Sequence, residues 1–144
     1  MRGRSTLALD RVDAFFQVPD RIHNIPLWEE NCRKIHARAA DFISGRTSLM
    51  EAASEISRLA AWTQAEDDPD LATFRGALNA SIGLPTGPER QFWSEEALTR
   101  VAPLIQSWEV NWKPIALEAA ARLVQKYRWA LAARQRRRKT GHAV

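Results

Sequence analysis

Cys32 and His36 stand four residues apart, and Glu29 lies three before the cysteine, so a helix would set three zinc-ligand types on one face. A structural zinc site needs four ligands, and the other histidines, His23 and His142, lie away in sequence. Cys32 also falls within the run Trp28, Cys32, Ile35, Ala39 and Phe42, where a free thiol can stand in for a small hydrophobe. Nucleophilic use would require an accessible thiolate beside a base. The residues therefore predict no metal, no cofactor and no catalytic group.

Two further stretches invite a chemical reading. Glu66, Asp67, Asp68 and Asp70 are suited to a divalent cation, yet the turn glycine and the distal glutamate of a calcium loop are missing. Helix capping accounts for them: Asp68 as cap, Pro69 at the first helical position and Asp70 in the first turn. Gly83-Leu84-Pro85-Thr86-Gly87-Pro88 has glycines but no following Lys-Ser or Lys-Thr, and Pro88 removes an amide that a phosphate would want. It is instead the best candidate for a recognition surface. Leu84, Pro85, Thr86, Glu89, Arg90, Phe92 and Trp93 mix charge with large aromatics, of the kind that binds a protein partner. The competing reading, which carries more weight, has Phe92 and Trp93 stapling the start of the next helix.

A third stretch is basic. Arg134, Arg136, Arg137, Arg138 and Lys139 follow Tyr127, Arg128 and Trp129, a set able to neutralise phosphates and stack on bases. That set supports a nucleic-acid partner as the alternative. Against it, the chain has 21 Lys plus Arg and 17 Asp plus Glu, and residues 134–139 hold five of the basic ones. Without them the body is nearly neutral, whereas nucleic-acid-binding domains carry their charge on the folded surface. A solvated tail, and aromatics that belong to a core, are the plainer readings.

The elements that must position these residues are helical. Asn24 caps a helix with Pro26 in its first turn, and the Trp28-to-Phe42 stripe runs to a stop at Gly45. Ser48 with Glu51 has capping-box spacing and restarts a helix whose inner stripe is Leu49, Ala52, Ile56, Leu59 and Thr63, with Trp62 beside it as a further core residue. So short a link predicts an antiparallel hairpin. Leu71, Phe74 and Leu78 face inward on a short helix ending near Ser81. Ser94 then caps a helix predicted to run to about Ala133, bent or divided by Pro103 and Pro114. Its apolar residues lie on several faces, including Trp108 and Trp112, so other helices should wrap it, helped in part by a second copy in a symmetric homodimer. Leu7, Leu9, Val12, Phe15 and Phe16 suggest a short helix before Pro19.

The prediction is an all-α, single-domain bundle of four to five helices around a long bent C-terminal helix, over 1–133, followed by a basic tail, 134–144. At 144 residues the chain can bury a core unaided. One cysteine excludes an intramolecular disulfide and fits a reducing compartment. No run is long enough to span a membrane and no secretory-type segment opens the chain, so a cytoplasmic location is expected.

From Gly45 to Tyr127 the chain resembles a group of small, all-helical, uncharacterised bacterial proteins. The resemblance rests on Leu59-Ala60-Ala61, Asp67-Asp68-Pro69-Asp70-Leu71 with Phe74, Leu84-Pro85 with Gly87, Arg90 and Trp93, and Glu96-Ala97-Leu98. The approach to Leu84-Pro85 departs from that group: Asn79-Ala80-Ser81-Ile82-Gly83 replaces a more acidic, serine- and threonine-containing stretch. The resemblance implies the fold and a modular, accessory character, with no activity to carry over. The function these residues predict is a non-catalytic protein-interaction module of the immunity, antitoxin or accessory kind.

Overall fold

Local signals at the helix ends do much of the folding. In the computed structural model, which describes residues 18–132, four α-helices form: α1 (Ile25–Ile43), α2 (Leu49–Trp62), α3 (Pro69–Ala80) and α4 (Glu95–Lys126). A 3-10 turn, Pro88–Phe92, precedes α4. The described residues contain no strand, and the fold is all-α. The Leu7–Phe16 segment and the basic residues Arg134, Arg136, Arg137, Arg138 and Lys139 lie outside the described residues.

Each helix begins where a side chain satisfies a free amide. The Asn24 carboxamide accepts from the Leu27 amide at 3.0 Å, and the Asp68 carboxylate from the Asp70 amide at 2.8 Å. Ser48 and Glu51 close a full capping box, and Ser94 accepts from the Ala97 amide at 3.1 Å. At the other end of α1, Gly45 takes φ +82°, which lets the Arg46 amide reach back to the Asp41 carbonyl at 2.8 Å. α2 ends by the same device, with the Ala65 amide on the Ala60 carbonyl at 2.9 Å. There the left-handed residue is Gln64, at φ +55°.

The helices pack in a ring, α1 on α2, α2 on α3, α3 on α4 and α4 back on α1, while α2 and α4 scarcely meet. Trp28 on the first turns of α1 stacks on Trp129 just beyond α4, centroids 5.4 Å apart. The ring therefore alternates in direction. Inside it Ile35, Ala39, Ala53, Ile56, Leu71, Phe74, Ala119 and Leu123 are buried. Small residues bring axes close. A Cβ on Gly76 of α3 would stand 2.9 Å from Cη2 of Trp112, so only glycine leaves room for that ring. Trp108 donates its indole N–H to the Ala77 carbonyl at 2.8 Å, which resolves the polar atom of an otherwise buried ring.

Four expectations need correction. α4 stops at Lys126, because Tyr127 and Arg128 turn before helical residues resume at 129. Pro103 and Pro114 do not divide it: both are exposed, so the carbonyls they orphan can face water. Trp62 is outside the core, 55% exposed, with the Arg58 guanidinium over its ring. Finally, α4 is not wrapped on all sides. A 12-residue α3, about 18 Å long, cannot cover a 32-residue α4 of about 48 Å, and none of residues 94–107 is buried.

A candidate partner-binding groove beside the Leu84 loop

The loop from Ser81 to Trp93 is ordered by its own short-range bonds. Gly83 takes φ +92°, and the Leu84 amide donates to the Ser81 carbonyl at 2.9 Å. The Thr86 amide returns to the Leu84 carbonyl at 2.9 Å, and Pro85 between them is fully buried. The Thr86 hydroxyl lies 2.8 Å from the Met50 sulfur, which pins the loop to the first turn of α2. The Gly87 amide donates to the Glu89 carboxylate at 3.0 Å, and a Cβ on Gly87 would lie 2.8 Å from that carboxylate. Glycine is what permits the carboxylate to fold back there.

Between this loop and α2 lies a groove of about 590 Å³. Met50, Leu84, Pro85 and Trp93 supply apolar wall, and Glu51, Glu55 and Glu89 supply carboxylates. Among the described residues, no Lys, Arg or His lines it. Ile82 on its edge is 79% exposed. Among the sequence-predicted residues, Leu84, Pro85, Thr86, Glu89 and Trp93 are brought together here, whereas Arg90 and Phe92 lie outside the groove. Phe92 is 82% exposed, so it packs on nothing at the start of α4 and the staple reading fails for it. Sequence reasoning missed Met50, Glu51, Ser54 and Glu55. Glu51 was already accounted for as a capping residue, and nothing in the sequence set the other three apart.

A second cleft, about 460 Å³, is lined by Lys34, Arg38, Glu55, Arg58, Leu59 and Trp62. Glu55 therefore stands on the wall between an acidic groove and a basic cleft.

The other candidate chemistry is placed as follows. Cys32 is buried, and burial pushes its thiol up to about 12, so the thiolate is scarce at neutral pH. Burial, then the charges of Arg128 and Arg33, hold the His36 imidazole below its ordinary value. Among the described residues no three His, Cys, Asp or Glu side chains are grouped to hold a metal ion. No helix among them is long and apolar enough to cross a membrane. The acidic run does more than cap. Asp68 and Asp70 both pair with Lys126, and Asp70 also accepts from the Arg122 guanidinium at 2.8 Å.

No family model, curated protein or solved structure matches the chain.

The aromatic residues proposed to stack on bases require a correction. Tyr127 is 1% exposed, and no base could reach it while the end of α4 is folded. Trp129 is half-buried against Trp28, and of this trio only Arg128 is exposed. The nucleic-acid reading is thereby reduced to the charge of Arg128 and of residues 134–139, the latter outside the described residues.

Proposed function

We propose that this chain is a non-catalytic protein-interaction module of the immunity, antitoxin or accessory kind, and that it receives its partner in the groove between the Leu84 loop and α2. The observation that supports this reading is the composition of that groove. Met50, Leu84, Pro85 and Trp93 line it together with the carboxylates of Glu51, Glu55 and Glu89, and Ile82 and Phe92 are exposed. A recessed apolar surface beside charge can accept an anchoring side chain from another protein. The acidic lining favours a partner segment in which an apolar residue is flanked by lysine or arginine. It disfavours nucleic acid at the same place.

The test is site-specific photo-cross-linking in the native host, with the photoreactive residue at position 82. One discrete adduct is expected, and it should fade when Glu55→Lys reverses charge in the groove. An adduct pattern no different from that of a probe on the far side, at position 118, would sink the reading.

A further inference from the structure

The cleft between α1 and α2 gathers like charges for which the fold supplies few partners. Lys34 and Arg38 stand one turn apart on α1, Arg58 and Trp62 one turn apart on α2, and all four line it. Glu55 is the one acid in the lining. Among the described residues, Lys34, Arg58 and Glu55 form no ion pair. Two cations one turn apart on a helix repel, so Lys34 beside Arg38 is a small local cost that a bound anion would offset. Arg38 is only partly engaged. A terminal nitrogen holds Asp41 at 3.0 Å, while its Nε–H is buried with no acceptor among the described residues. A buried donor left open in this way is satisfied by an incoming oxygen.

The cleft also offers a ring. Trp62 is 55% exposed, and the Arg58 guanidinium lies 5.7 Å from its centroid. That contact steadies a flexible cation beside the cleft, and a guanidinium donates a planar fork of N–H groups suited to an oxyanion. The volume, about 460 Å³, falls in the range of small-molecule sites and far exceeds a single oxyanion. A ligand that fills it therefore carries an organic part, and an exposed indole favours a planar one that stacks. The anion itself is set by the donors. The Lys34 ammonium, the Arg58 guanidinium and the open Arg38 Nε–H come from both walls, and phosphate has three acceptor oxygens where a carboxylate has two.

We propose that this cleft binds a small aromatic phosphate of the nucleoside monophosphate type, its phosphate held by Lys34, Arg38 and Arg58 and its ring laid against Trp62. The site lies across α2 from the groove beside the Leu84 loop, and it stands or falls independently of what that groove receives.

Isothermal titration calorimetry of the full chain with AMP, adenosine and inorganic phosphate tests it. AMP should bind one per chain, and adenosine and phosphate should each bind at least about tenfold more weakly, since each meets half of the site. Lys34→Gln and Arg58→Gln should each weaken AMP by about tenfold, the worth of one hydrogen bond to a charged group. Trp62→Leu should weaken AMP and leave phosphate unchanged. Lys113→Gln, an exposed cation of α4 outside the cleft, should change nothing. Lys34, Arg58 and Trp62 are all exposed, so the variants should keep wild-type helicity. Absence of AMP binding at millimolar concentration overturns the proposal. So does adenosine binding as tightly as AMP, or an equal loss in Lys113→Gln. A single-stranded oligonucleotide that binds more tightly than AMP would make the cleft a nucleic-acid contact, and overturns it too.

Discussion

The Asp70 carboxylate lies 2.6 Å from the Lys126 ammonium, joining the first turn of α3 to the last turn of α4. Asp70 is 5% exposed, and its other oxygen is held by Arg122. Burial raises the Asp70 pKa, but the hydrogen bonds from Lys126 and Arg122 outweigh it and the net shift is downward. For Lys126 the burial effect is downward and the bonds to Asp70 and Asp68 outweigh it, so its net shift is upward.

Asp70→Asn should therefore cost about 2 kcal/mol at neutral pH, at the lower end for a buried pair because Arg122 is largely in water. A carboxylate with a depressed folded-state pKa stabilises above its unfolded value and loses that contribution as pH falls through the folded one. Urea midpoints of wild type and variant should stay well separated from neutrality down to about pH 4, the usual aspartate value, and converge below it. A separation that ignores pH would show that the carboxylate's charge is not what matters.

Gln64 holds a left-handed backbone conformation that ends α2, at φ +55°. Such a conformation costs a side-chain-bearing residue roughly 1–2 kcal/mol, of which glycine's freer unfolded chain returns some. Gln64→Gly should raise stability by about 0.5–1 kcal/mol, read as a higher urea midpoint at unchanged slope. Destabilisation would mean that the glutamine side chain makes a contact outweighing its backbone.

Gly76→Ala sets two effects against each other. Helix propensity favours alanine by about 1 kcal/mol, while the 2.9 Å approach to Trp112 incurs overpacking of about 1–3 kcal/mol. The net expectation is a loss of about 1 kcal/mol. In a Trp112→Phe background the obstructing outer ring carbon is gone, and the same change should turn stabilising. A double-mutant cycle with no coupling between the two positions would refute the close packing.

Cys32 should be silent toward a disulfide reagent in the native protein and react one-for-one in denaturant, because burial hides the thiol and pushes it up to about 12. Fast native labelling near neutral pH would contradict both its burial and its proton affinity.

How much of this was legible depends on the distance over which each signal acts. The four caps at Asn24, Ser48, Asp68 and Ser94 are bonds within three residues, and all four form as the sequence predicts. The inner stripes of α1 and α2 follow from helical spacing alone, and Ile35, Ala39, Ile56 and Leu59 are buried accordingly. Pairings that depend on tertiary approach left no such trace. Asp68 and Asp70 read as capping residues and nothing more, since their partners Arg122 and Lys126 are far along the chain. Trp62 read as core because it is large and apolar, although it sits one step off the inner stripe and ends up beneath Arg58. In the groove the loop side was visible through its glycines and prolines. The α2 side was hidden, because Glu51 had a sufficient explanation as a cap and Glu55 carried no signal at all.

The contact between Trp28 and Trp129 sets where the described polypeptide begins and finishes. Both crossings into the body occur at one pole, and the acidic groove opens near the other, roughly the length of α1 away. A fluorophore or affinity handle placed at that shared pole would thus sit about one α1 length from the surface offered for docking.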